Sequence, residues 1–402
     1  MIPIREAIRI VLDETRTLEV ELVTLSDSLG RVLAEDIIAD TDLPPFDRAQ
    51  MDGYAVRAAD VANTPARLRI VGESAAGSGW HHEMKATEAV RIMTGAPVPA
   101  GADSVQQVEL TREVDGAEFV EILEPVANGR SIVRRASEIK AGETVLRAGE
   151  DINAAMVATL ASFGYAQMKV GRRPRVAVMA TGSELVDVDQ KPARDQIRDS
   201  NNYTIAAYAT LAGATVERLP LAVDDTEELK KQIAGAAAQS DVLITSGGVS
   251  MGVYDFTKAA LKELSAEIYF ERVSLRPGKP TVFARLGKTL VFGLPGNPVS
   301  VAVTFNLFAR TALRVMQGAK QPELIEDAAV LARDLKGSIE RESYLPAVLR
   351  TDEKGTLLAE PLKWGGSSDF VAFARATALI NVPAGEKVIE AGSQVKIVRL
   401  PG

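Results

Sequence analysis

The chain has 402 residues, 46% hydrophobic and 25% charged, with a formal net charge of -8, which is the profile of a globular protein of several domains with a substantial core. Both signs of charge are mixed along the chain, which argues against a general nucleic-acid binder with its basic face. There are no cysteines and only two histidines, His81 and His82. Disulfides, thiolate catalysis, iron–sulfur clusters and structural zinc sites are thereby excluded. Side chains of adjacent residues diverge on a helix or strand, so the histidine pair reads as exposed loop, and any metal rests mainly on oxygen ligands, which points to magnesium.

In chain order, Ile4, Ala7, Ile8, Val11 and Leu12 follow one helical face. A second helix is expected over 26–36, with Leu29, Val32 and Leu33 on one side. The segment TDLPPFDRAQ breaks regularity with two prolines. From there to about Gly142, the runs RLRIVG, AVRIM, SVQQVEL and EFVEIL, separated by Gly, Pro and Asp, predict a mostly β region. A helical pattern returns over 153–163, so the β region reads as an insertion between two pieces that pack together.

Residues 173–318 are the most legible. Strand RVAVMAT, a helix over 201–211, strand VERLPLAV, a helix over 226–239, strand DVLITSGG, helix DFTKAALKEL, strands EIYFERVSL, TVFARL and TLVFGL, and a helix from about Val299 follow in turn. Such alternation predicts an open, largely parallel, doubly wound sheet. The uncharged stretch 289–309 contains Gly293, Pro295, Gly296, Asn297 and Pro298, so it reads as strand, turn and helix rather than a membrane span. From about Lys320, YLPAVLR, TLLAEPL, ALINVPA and QVKIVRL alternate with glycine-rich turns and predict a small β-barrel or sandwich. The start, MIPIREAIRIVLDE, is charged from Arg5 onward and lacks a signal-peptide pattern, so a cytoplasmic protein is expected.

Open α/β sheets bind ligands beyond the carboxyl ends of their strands. There this sequence places Glu184 after the first strand, Asp224 after the second, and Ser246, Gly247, Gly248, Ser250 and Asp255 after the third. The turn Pro295–Gly296–Asn297–Pro298 follows the last. The loop TSGGVSMG suits anion binding by exposed backbone N–H groups and serine hydroxyls, and equally suits a simple chain reversal. Asp224 and Asp255 each precede a helix, where capping is the default; together with Glu184 on one edge, they suit a hydrated magnesium on phosphate oxygens. Arg272, Arg276 and Lys279, around RPGKP, are either a solvated basic turn or anion-binding forks opposite that edge.

Two further motifs lie in the β region: MDGYAV, with Asp52, and MTGAPVP, with Thr94. With SNN, TSGGVSMGVYDFTK, RPGKP and GLPGNPVS, they closely resemble the MoeA family and the related E domain of gephyrin, in order over nearly the whole chain. The resemblance implies a multidomain α/β fold. Its parts are an elongated helical dimerisation domain (1–42 and 143–172), an inserted mostly β domain (43–142), a MogA-like doubly wound molybdopterin-binding α/β domain (173–319) and a C-terminal β-barrel domain (320–402). The implied activity is molybdenum cofactor biosynthesis, in which molybdate enters adenylated molybdopterin with Mg2+-dependent release of AMP. Position by position, Asp52, Thr94, Glu184, Asp224 and Asp255 correspond to the functional set, with Glu184, Asp224 and Asp255 on magnesium. Ser246, Gly247, Gly248, Ser250, Arg272, Arg276, Lys279, Pro295, Pro298, Arg341 and Ser367 correspond to ligand-binding positions.

The partners implied are a second copy of the chain sharing each active site, the adenylyltransferase of the preceding step and downstream maturation proteins, with no nucleic acid and no membrane. Arg272 and Arg276 stand where some members carry lysine, and an arginine there holds oxyanions but serves as no base. The alternatives are a molybdopterin adenylyltransferase and a non-catalytic gephyrin-like scaffold. The β region and C-terminal domain argue against the first, and the absence of a long linker and fused domain argues against the second.

Overall fold

In the computed structural model, residues 1–222, 225–248 and 256–401 are described. The chain divides into two compact units, one of residues 1–35, 148–157 and 167–402 and the other of residues 36–147 and 158–166.

The first unit holds a six-stranded sheet: β1 (Arg175–Ala180), β2 (Thr215–Arg218), β3 (Val242–Ser246), β4 (Glu267–Phe270), β5 (Val282–Leu286) and β6 (Thr289–Leu294). Its order is β2-β1-β3-β6-β5-β4. Neighbours in β2-β1-β3-β6 are parallel, and β5 alone runs against both its neighbours. The central strands read as continuous apolar runs because both faces are covered. Side chains alternate along a strand. Val176, Val178, Ile244 and Phe292 therefore join Ile205 and the helix from Pro298 on one face, and Ala177, Met179, Leu243 and Val291 join Leu229, Ile233 and Leu261 on the other. This is the doubly wound layering expected.

The N-terminal helix Ile4–Glu14 buries Ile4, Ala7 and Val11 in the first of those cores. The helix expected over 26–36 does not form. Leu25–Asp27 make a single 3-10 turn, Gly30 takes φ +73°, and Val32 and Leu33 bridge to Asp151 and Val170. Of the three apolar residues read as one helical stripe, Val32 and Leu33 are held at strand-like bridges and Leu29 is 59% exposed.

The apolar helix Pro298–Met316 has the length and mean hydropathy, 1.3, of a membrane span, but 89% of it is buried within the fold. It is a core helix, with a π-helical turn at Phe305–Ala309. The C-terminal segment closes five strands into a barrel: Glu342–Thr351, Leu357–Pro361, Glu326–Leu331, Gln394–Arg399 and Ala378–Val382, the last pairing back to the first. Leu345, Ala347, Ala359, Ile380 and Ile397 fill its interior. Barrel rather than sandwich is the outcome. The strand Glu326–Leu331 escaped the sequence reading because its first residues are exposed, two of them charged.

The second unit is built on a six-stranded sheet in the order Ser104–Gln107, Gly53–Val56, Glu88–Ile92, Ala66–Ser74, Phe119–Ile122 and Thr111–Val114. The run SVQQVEL contributes a strand only to Gln107, and Val108–Leu110 turn into a 3-10 helix. His81 and His82 are exposed loop residues, as expected.

Candidate functional site

The parallel register brings the carboxyl ends of β1, β3 and β6 side by side, with Ala180 opposite Ser246 and Ser246 opposite Leu294. Beyond β3 the chain turns through Gly247 and Gly248 at φ +90° and +63°. A Cβ on Gly247 would lie 2.3 Å from the Thr181 carbonyl oxygen, so only glycine lets these two strand ends approach so closely.

Ser246 is 2% exposed. Its Oγ accepts from Asn201 Nδ2 at 2.8 Å and donates to the Pro295 carbonyl at 3.3 Å. The other hydrogen of Asn201 Nδ2 goes to the Gly296 carbonyl at 2.7 Å. The hydroxyl read from sequence as a ligand donor is thus engaged inside the protein.

A pocket of about 700 Å³ lies over these strand ends. Thr181, Glu184, Asp199, Asn201, Ser246, Gly247 and Gly296 give it polar walls, and Pro192, Ile197, Pro298 and Phe370 give it apolar ones. Glu184 is exposed, and its carboxylate folds over Gly182, where a Cβ would meet Oε2 at 2.5 Å. Asp199 is buried, and burial pushes its carboxyl above the usual range despite the backbone N–H groups of Asn202 and Asn201 that it accepts. Those N–H groups open the helix Asn201–Leu211, so Asp199 occupies the end that an anion would otherwise take.

A second pocket, of about 950 Å³, contains Arg276, Lys279, Arg333, Lys336, Arg341 and Lys363 against one acid, Asp334. Pro295 and Ser367 also line it. Asn297 lines both pockets, and its Nδ2 donates to Ser367 Oγ at 2.8 Å. Pro298 starts the core helix, where a missing N–H costs nothing.

The structure therefore brings Glu184, Ser246, Gly247 and Pro298 together in one pocket and Arg276, Lys279, Pro295, Arg341 and Ser367 in the other. Arg272 and Gly248, both half-buried, line neither. Asp224, Ser250 and Asp255 lie outside the described residues. The helix Thr226–Gln239 is capped by Asp225, whose side chain accepts the Glu228 N–H at 2.9 Å; sequence reading had offered that role to its neighbour Asp224.

In the second unit, Asp52 Oδ1 accepts the Thr94 N–H at 2.7 Å and the Thr94 hydroxyl at 2.9 Å. These two bonds hold the Asp52 carboxyl below its ordinary range. The two motifs that carry them thus meet. Among the described residues, no group of three or more His, Asp or Glu side chains is placed to hold a metal. Sequence reasoning missed Asp199 and gave Asn201 no role. The only signal was the string DSNN ahead of a helix.

A pocket at the carboxyl edge of a doubly wound sheet is where α/β proteins bind their small-molecule ligands. Three family models match in order: the MoeA N-terminal region (domain I and II) over residues 2–164, a probable molybdopterin binding domain over 177–315, and the MoeA C-terminal region (domain IV) over 328–400. The molybdopterin molybdenumtransferase of Bacillus subtilis (strain 168) is 37% identical over 99% of this chain and 94% of its own length. That of Haemophilus influenzae is 36% identical over 92% and 93%. A solved molybdopterin biosynthesis MoeA protein of Pyrococcus horikoshii superposes with a TM-score of 0.85 at 28% identity, both chains being covered in full. The chain belongs to the MoeA family, transferases of molybdenum cofactor biosynthesis.

Proposed function

We propose that this enzyme inserts molybdate into adenylated molybdopterin with release of AMP, binding the two substrates across the adjoining pockets. The observation that carries the reading is their pairing. A glycine-turn pocket at the strand ends shares Asn297 with a pocket bearing six cationic side chains and one acidic one. Guanidinium forks recognise oxyanions in bidentate fashion, and lysine adds a point charge. Arg276 and Arg341 offer guanidinium donors to an oxyanion from one wall of the cationic pocket. The protein's work is to bind, orient and neutralise, the main part of phosphoryl-group chemistry.

Magnesium belongs to the same proposal. Glu184, the described member of the expected ligand set, is an exposed carboxylate on a pocket wall, a hard oxygen donor of the kind magnesium takes. Bound there, the ion would supply charge neutralisation at the phosphates. A homodimer with shared sites completes the proposal, the Asp52–Thr94 pair of one copy serving the pockets of the other.

The test is AMP release from adenylated molybdopterin by the purified protein, with magnesium, across a molybdate titration. Release that rises with molybdate is expected, and Arg276→Ala should raise the molybdate needed for half-maximal release by about tenfold, the loss of one charge-assisted contact. Substrate binding with no release at any molybdate concentration would refute the reading.

A further inference from the structure

We infer that Asn201 is a positioning residue: its side-chain amide fixes the separation between the glycine-turn pocket and the cationic pocket, and so the separation at which the two ends of a bound substrate are held. The inference rests on the function proposed above for those pockets.

Asn201 Nδ2 has two hydrogens, and both bridge elements distant in sequence. One goes to Ser246 Oγ at the end of β3, and the other to the Gly296 carbonyl in the loop after β6. The orientation of the amide is not arbitrary. A carbonyl can only accept, so the nitrogen must face Gly296. Oδ1 is consequently left buried with no hydrogen-bond partner. Leaving a buried acceptor unpaired is costly, and the amide is held so by what its nitrogen does. From Gly296 the linkage passes to Asn297 and then, through Nδ2, to Ser367 Oγ in the cationic pocket. Ser246 extends it inward to the Pro295 carbonyl. One amide thus clamps the glycine turn to the loop that walls both pockets. The mean position of an oxyanion held by Arg276 and Arg341 relative to a phosphate at Gly247 depends on that clamp.

Asn201→Asp tests this, because it keeps the shape and removes the donors. Its carboxylate would face the Gly296 carbonyl, and only the protonated acid could donate there. At pH 8, KM for adenylated molybdopterin should rise by about tenfold or more, since sub-ångström misplacement of bound groups is amplified in this way. The ratio of variant to wild-type kcat/KM should recover as pH is lowered and the acid protonates. Asp199, two residues away, is present in every variant, so Asn201→Ala supplies the reference against which the new acid's effect is read. Asn201→Ala should show the same KM rise with a flat ratio.

Amide hydrogen exchange supplies a readout independent of substrate. The Gly247 N–H donates to the Leu294 carbonyl at 3.2 Å, and its exchange should quicken in both variants. Unchanged exchange at Gly247, or a wild-type KM in Asn201→Asp with a flat pH ratio, would overturn the inference. An inactive wild-type protein would instead defeat the parent reading, and exchange would still decide the role of Asn201.

Discussion

Gly53, beside Asp52 in MDGYAV, is glycine for a steric reason, and that can be tested against Gly95, beside Thr94. A Cβ on Gly53 would sit 1.9 Å from the Gln106 carbonyl oxygen, a backbone atom of the neighbouring strand. The ordinary carbon–oxygen approach is about 3.3 Å, so the two strands would have to separate by roughly 1.4 Å. That displacement breaks about two ladder hydrogen bonds at ~1 kcal/mol each and adds packing strain of ~1–3 kcal/mol, giving about 3–5 kcal/mol for Gly53→Ala. Gly95 has φ +80° and nothing within 4 Å of its would-be Cβ. Gly95→Ala meets only the left-handed backbone penalty of ~1–2 kcal/mol. The protein has two tryptophans, Trp80 in the second unit and Trp364 in the first, so urea unfolding followed by Trp80 fluorescence in a Trp364→Phe background reports the relevant sheet. Equal losses in the two alanine variants, or a loss under ~1 kcal/mol for Gly53→Ala, would refute the steric argument.

Two further outcomes follow from the geometry. Asp241, just before β3, has a side chain 13% exposed that accepts two bonds from Arg172 at 3.0 and 2.9 Å and one from the Arg175 N–H at 2.7 Å. Burial raises its pKa, but these bonds outweigh burial and hold it below the ordinary 3.8. A depressed folded-state pKa stabilises above the unfolded value and the contribution fades as pH falls through the folded one. Asp241→Asn should therefore lose about 2 kcal/mol at pH 7, taken near the low end because Arg172 is a quarter exposed and partly screened. Urea titrations should then converge with the wild type as pH falls through the depressed folded-state pKa, and a gap that persists in acid would show that the charge is not responsible. For the shared-site proposal, Asp52→Ala and Glu184→Ala proteins, each inactive alone, should regain up to about a quarter of wild-type AMP release after subunit exchange, since on average half the chains in mixed dimers complete one of two sites. No recovery in verified mixed dimers would place both residues in one chain's site.

The doubly wound sheet was legible because RVAVMA, VLITS and TLVFGL are mostly apolar runs that alternate with helix-length segments, and the helix 226–239, capped by Asp225, falls where the pattern put it. Periodicity failed over 26–36 because Leu29, Val32 and Leu33 fit a helical stripe on paper, while Gly30 takes a left-handed turn and tertiary bridges claim Val32 and Leu33. In the site, motif residues were found and their partners were not. The importance of Asn201 comes from contacts 45 and 95 residues away, which local pattern cannot express. Asp199 and Asp225 show the converse limit. Two acids in similar strings end as a buried pocket-wall carboxylate and a plain helix cap, a distinction made by burial alone.

Burial and charge also sort the proposed substrates between the pockets. The glycine-turn pocket contains Glu184 and Asp199 with Arg198 as its cation. The serine beneath it is turned inward, and Asp199 takes the N–H groups of the nearby helix end. A bare dianion gains little there. A phosphate suits it only through the backbone of the glycine turn or through a cation held by Glu184. The neighbouring pocket has six cations and one acid, and several are exposed, so its charge is paid at little desolvation cost. On the proposed function, this charge distribution would put molybdate in the second pocket and the phosphate end of the pterin in the first. On that assignment raised ionic strength should weaken molybdate dependence more than pterin binding, since exposed cations are the more screened.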